Sequence, residues 1–86
     1  MPRISAFYGI AIYMYWDDHN PPHYHAVYGE HEVWIVIENA AVLHGSLPGR
    51  ALRLVRNWHR LHPIEIEAAW ESAKANQAPG TIGPLP

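Results

Sequence analysis

The chain contains no cysteine among its 86 residues. That removes disulfides, thiolate ligands and a cysteine nucleophile from consideration, and fits a reducing compartment. It also lacks any apolar run near the roughly 18 residues a membrane-spanning helix needs. Its opening, Met1-Pro2-Arg3-Ile4-Ser5, carries no apolar stretch of the kind that marks a secretory leader. The expectation is a cytoplasmic protein with no membrane attachment. Neither sign of charge predominates: six Lys and Arg stand against eight Asp and Glu, for a net charge of −2. Nothing global therefore points to nucleic acid. Internal repeats and low-complexity segments are also missing.

What the chain does have is aromatic bulk and imidazole. Four Trp and five Tyr can each bury roughly 150–250 Å², which helps a domain near the small end of what folds alone. The first half reads as strands. Residues 4–8 form a short one, Gly9 permits a bend, and residues 10–16 alternate Ile10, Ile12 and Met14 against Ala11, Tyr13 and Tyr15. Asp17-Asp18-His19-Asn20-Pro21-Pro22 cannot continue a ladder, because proline has no N–H. Extended pattern resumes over residues 23–28, turns at Gly29-Glu30-His31, and continues over residues 32–37 and 42–44.

The second half reads as helices. After Pro48, the residues Ala51, Leu54, Val55, Trp58 and Leu61 follow the spacing of a buried helical face; His59 is read as lying off it. Pro63 opens a second helix with Glu65 and Glu67 early in it and Ile66, Ala69, Trp70 and Ala73 as its stripe. The fold expected is α+β: an antiparallel sheet of four strands, or five with the N-terminal one, followed by two C-terminal helices packed on one face. Residues 1–77 form one domain on this reading, and 78–86 an extended or disordered arm.

Three of the seven histidines fall in Asp18-His19-Asn20-Pro21-Pro22-His23-Tyr24-His25. Alternate residues on a strand face the same side, so His23 and His25 can aim two rings at one point. His19, His23 and His25 match the three protein ligands of a catalytic zinc, with His44 as a substitute and Asp17, Asp18, Glu30 or Glu32 as carboxylates. The same rings could act as acid and base, or could serve only to lock a turn through backbone hydrogen bonds. The residue types leave all three readings open. His31, His59 and His62 read as structural: a solvated turn, a position off the apolar stripe and a helix junction.

Two surfaces suggest a partner. Arg50, Arg53, Arg56 and Arg60 share an arc of about 120° on the first helix. They could grip an acidic partner, or stand as a solvated face paired with Glu65, Glu67 or Glu71. On the sheet, Ile10, Ile12, Met14, Val33, Ile35 and Ile37 are expected to face the helices, which leaves Tyr13, Tyr15, Trp34 and Val36 on a second face too apolar to stay open. Either the tail and N-terminal arm cover it or another chain does, with a homodimer or a second protein the favoured cover; base stacking there is less favoured because basic residues are few.

Phe7-Tyr8-Gly9-Ile10, Tyr13-Met14-Tyr15, the histidine segment, Tyr28-Gly29-Glu30 and Gly45-Ser46-Leu47-Pro48 resemble the small bacterial domain of unknown function family 4160. Arg50-Ala51-Leu52, residues 58–62 and Trp70 extend the match. The resemblance implies a stand-alone bacterial cytosolic protein whose gene sits beside one for another small domain of unknown function, family 2442, in a toxin–antitoxin-like or regulatory pair. It makes His19, Pro21, Pro22, His23 and His25 a family hallmark. The chain departs from the family pattern at Ala69, Pro63 and Ile64. Two functions are therefore in view. One is a protein-binding subunit that uses the arginine arc together with Tyr13, Tyr15 and Trp34. The other is a small histidine-dependent or metal-dependent hydrolase, ribonuclease-like, with His23 and His25 as base and acid and Arg50 or Arg53 stabilising phosphate charge.

Overall fold

A computed structural model describes residues 2–16 and 19–86 of the chain. Its elements are β1 (Arg3–Phe7), β2 (Ile10–Tyr13), β3 (His23–Tyr28), β4 (His31–Val36), β5 (Val42–Gly45), α1 (Gly49–Leu61) and α2 (Pro63–Lys74). The strands pair in chain order as one antiparallel five-stranded meander. The expected α+β order of strands followed by two helices is what the chain adopts, with the N-terminal strand present as β1.

Alternation decides which side of the sheet is core. Ile10, Ile12, Tyr24, Ala26, Val33 and Ile35 are buried together with Ala51, Val55 and Trp58 of α1 and Ile66, Ala69, Trp70 and Ala73 of α2. Trp58 is the hub: its ring lies 5.5 Å from that of Phe7 on β1 and 5.6 Å from that of Tyr24 on β3.

Two details of α1 correct the helical stripe. Leu61 is 57% exposed, whereas His59 is only 7% exposed and belongs to the buried side. His59 follows Val55 by four residues, so it lies on the same face; its polar character had placed it with the solvent. Its ring bridges core and sheet. A carbonyl can only accept, so Nε2–H donates to the Ile37 carbonyl at 3.0 Å, and Nδ1 accepts from the Tyr24 hydroxyl at 2.7 Å.

Residues 78–86 carry no regular secondary structure and run along β1. The Ile82 amide donates to the Ile4 carbonyl at 2.7 Å. The Gly83 carbonyl accepts from Trp58 Nε1 at 2.9 Å, and the Tyr8 hydroxyl donates to the Pro86 carbonyl at 2.8 Å. Ile82 is buried, and Leu85 packs on the same core.

Candidate functional site

Pro21 and Pro22 lead the chain into β3 and fix where its first residues stand. The Ile37 amide donates to the Pro22 carbonyl at 3.0 Å, and His23 Nδ1–H donates to that of Pro21 at 2.7 Å. Tyr24 and Ala26 point into the core, so His23 and His25 leave the opposite side of the sheet. On that side one row crosses all five strands. Arg3 stands opposite Tyr13, Tyr13 opposite His25, His25 opposite Trp34, and Trp34 opposite His44.

The rings in and beside this row form a continuous cluster. Centroids are 5.2 Å apart for His23 and His25, 4.7 Å for His25 and Trp34, 4.6 Å for Trp34 and His44, and 4.4 Å for Tyr15 and His25. Trp70 of α2 closes one end, 5.8 Å from His23. The second helix thus reaches the histidines despite the departures from family pattern around it. Trp16, ahead of the histidine segment, donates from Nε1 to the Gln77 carbonyl at 3.0 Å and ties the same connection to the far end of α2.

Glu32 is the carboxylate that meets His25, while Glu30 stays in the β3–β4 turn. His25 Nδ1–H and Trp34 Nε1–H both donate to Glu32 Oε2 at 2.9 Å. The hydrogen bond from His25, then that from Trp34, holds the Glu32 carboxyl below its usual range, against a smaller opposing effect of burial. This carboxylate fixes the orientation of His25, as a second partner does for many working imidazoles.

The model of a protein family described as domain of unknown function (DUF4160) matches residues 9–71, most of the chain. The chain belongs to that family. No curated protein and no solved structure matches it. In this DUF4160 domain the matched region spans β2 to most of α2, and so takes in both the histidine row and the helix that closes it.

Among the described residues of the DUF4160 domain, no three His, Asp or Glu side chains group so as to hold a metal ion. His19 is exposed, whereas His23 and His25 are 3% and 6% exposed. Asp17 and Asp18, named as supporting carboxylates, lie outside the described residues. Arg50 does not join the histidines. It lines a small depression with Tyr8 and Tyr28, at the far end of β3 from His23 and on the α1 side of the sheet. A larger cleft of about 480 Å³ lies beside the Pro21-Pro22 step; Trp70 forms part of its wall, and Glu38, Glu67 and Glu71 line it. Carboxylates are the wrong charge for holding phosphate.

The arginine arc of α1 is divided. Arg56 Nε donates to the Ala40 carbonyl at 3.2 Å and so braces the β4–β5 connection. Arg60 donates to Asn57 within its own helix. Two of the three α2 carboxylates are engaged elsewhere: Glu65 pairs with His62 and Glu71 with Lys74. Among the described residues, no ion pair reaches Arg50, Arg53 or Arg60. No helix among the described residues is long and apolar enough to cross a membrane.

His59, read from sequence as structural but off the buried stripe, lies inside the core, and its burial predicts a pH response for this domain. Burial lowers its pKa below the ordinary 6.5, with the bond to Ile37 acting the other way. Burial likewise raises the Tyr24 hydroxyl, opposed by Arg56. Because the folded ring resists protonation, the unfolded chain takes up the proton first as pH falls through about 6.5. Stability contributed by the neutral ring is full above that value and is lost as pH falls toward the lower folded pKa. Urea melts are expected to show a declining midpoint between pH 7.5 and 5.5, and the decline should flatten in His59→Gln, which cannot titrate. Glu32 acts lower down, below its ordinary 4.5. An equal slope in wild type and His59→Gln would assign the effect to other groups.

Proposed function

We propose that this DUF4160 domain is a protein-binding regulatory subunit of a two-gene, toxin–antitoxin-like module, and that it grips an acidic surface of its partner with Arg50, Arg53 and Arg60 on α1. The observation that carries this reading is the state of that helix face. Arg50, Arg53 and Arg60 are exposed on a chain of net charge −2, no ion pair among the described residues reaches them, and Glu65 and Glu71 of α2 are taken by His62 and Lys74. A single-sign patch of this kind steers an oppositely charged protein and sets its orientation. A protein of the family 2442 kind is the first candidate. Nucleic acid is less favoured, because Arg3 is the one arginine or lysine in the aromatic row and carboxylates line the neighbouring cleft.

The test is co-expression with the protein encoded by the neighbouring gene, followed by size-exclusion at micromolar concentration. Co-elution is expected, together with at least a tenfold weaker affinity in Arg50→Glu/Arg53→Glu and a marked salt dependence in the wild type. Separate elution of the two wild-type proteins sinks the reading.

One observation favours the alternative, a small histidine-dependent hydrolase: the Glu32 carboxylate on His25 Nδ1 is the arrangement that orients a general base. The burial of both rings weighs against it, since a substrate needs access to the base. Expression of the His23→Ala/His25→Ala variant decides. Growth arrest by the wild type that is relieved in a variant retaining the wild-type melting temperature supports the hydrolase reading; the same growth for both removes it.

A further inference from the structure

The two edges of the sheet are finished differently. Beside β1 the chain lays its own tail, with Ile82 hydrogen-bonded to Ile4 and Pro84 lying alongside. No described segment lies along the outer edge of β5, and all four of its residues are exposed. Val42 and Leu43 are 43% and 41% exposed. Trp34 pairs with His44 and Ile35 with Val42, so Leu43 is the extra residue of a bulge in the outermost strand.

Edge strands that must stay single are usually guarded by short length, a bulge, lysine, proline or inward-turned charge; β5 is short and bulged but has none of the other three. From residue 39 to residue 48 this chain has no Asp, Glu, Lys or Arg, and its first proline after β4 is Pro48. We infer that β5 is a dimerisation edge, and that its occupant is β5 of a second copy of this chain, paired antiparallel about a two-fold axis. Three features select a second copy. An antiparallel strand pair is self-complementary, so one edge suffices to make a closed dimer. The uncharged segment lets two chains meet without like charges opposed, even though each carries −2 overall. With β1 occupied by the tail, each chain offers one edge, and assembly stops at two.

The strength of the contact follows from its size. Four-residue strands bury less than the roughly 1,200 Å² of a standard interface, so the dimer is a concentration-dependent one. The bulge and the short strand limit it further. On the aromatic side the pairing joins two rows end to end at His44, and on the other it covers Val42.

Sedimentation equilibrium of the full chain from micromolar to millimolar concentration tests the inference. The apparent mass is expected to rise from 9.8 kDa toward twice that value. Leu43→Lys, at an exposed position, should keep the wild-type melting temperature yet shift the midpoint of association at least tenfold higher. Amide exchange should slow with concentration at residues 42–44 and not at residues 3–7. A monomer throughout the range overturns the inference. So does a dimer that Leu43→Lys leaves unchanged, or one that protects another surface. If Leu43→Lys lowers the melting temperature, Val42→Thr and the exchange pattern of the wild type decide. The inference is independent of the arginine face, because a charge-reversed α1 should dimerise as the wild type does.

Discussion

Replacing Gly45 with alanine is expected to lower the unfolding free energy by about 2–4 kcal/mol, measured by urea denaturation at pH 7.5. Gly45 ends β5 with φ of +76°. A side chain there meets the left-handed penalty of about 1–2 kcal/mol. The second cost is spatial: a Cβ on Gly45 would stand 2.2 Å from the backbone oxygen of Glu32 and 3.4 Å from the Cα of Val33. Backbone cannot swing aside as a flexible side chain can, so β4 and β5 must separate locally. The displaced residue is Glu32, whose carboxylate takes the hydrogen bonds of His25 and Trp34. The damage is therefore expected to reach the histidine row, visible as shifted imidazole resonances of His25 and His44. Gly29→Ala is the control. Gly29 also has positive φ, +61°, but nothing lies within 4 Å of its added Cβ; only the conformational penalty of about 1–2 kcal/mol should be measured. Equal losses at the two glycines would mean that the Glu32 contact is relieved without cost.

Trp58→Ala is expected to cost about 3–5 kcal/mol, a large share of the 5–15 kcal/mol available to a typical domain. Trp58 is fully buried, touches the rings of Phe7 and Tyr24, and donates to the Gly83 carbonyl. Truncation removes packing between α1 and two strands and also the bond that seats the tail. The variant should show a lower urea midpoint and faster amide exchange at Ile82. Trp58→Phe separates the two effects. It keeps most of the ring but loses the donor, so exchange at Ile82 should accelerate while stability falls by less than half as much as in the alanine variant. An unchanged Ile82 amide in both variants would show that the tail is held without Trp58.

Much of the fold was legible because strand signals and breakers agreed. The alternation from residue 10, the Pro21-Pro22 interruption and a turn after Tyr28 all hold. However, β2 ends at Tyr13 rather than residue 16, and the turn is Gly29-Glu30 alone because His31 pairs with Tyr28 as the first residue of β4. The stripe of α2 was legible for the same reason: Ile66, Ala69, Trp70 and Ala73 are all buried. Residue type misled in α1, where an imidazole was taken for surface and Leu61 for core. Only the hydroxyl of Tyr24 and the carbonyl of Ile37 make the buried position of His59 hospitable, and neither is near it in sequence. The packing of the tail was illegible because residues 78–86 have no periodicity to mark Ile82 and Leu85 as buried.

The candidate site divides along similar lines. That His23 and His25 share a side follows from strand alternation, and Glu32 was among the carboxylates the hairpin could deliver. The exclusion of solvent from both rings was not readable, since it depends on Trp34 and Trp70 from separate elements. Nor was the separation of Arg50 from the histidines, which depends on α1 covering the opposite side of the sheet. The arginine arc was readable as a pattern, but not that Arg56 turns to the Ala40 carbonyl while Glu65 and Glu71 pair with His62 and Lys74.

The contacts of the tail also set an order of events. Tyr8 and Pro86, and Ser5 and Gly83, are each 78 positions apart in a chain of 86. Closing so large a loop gives up the most chain entropy, and such contacts gain most when the intervening structure already holds the ends together. Seating of the tail is thus the closing step of folding and the first to reverse. Because Trp58 Nε1 is bonded to the Gly83 carbonyl, its side-chain N–H resonance should register that step separately from the burial of Tyr24 beneath it.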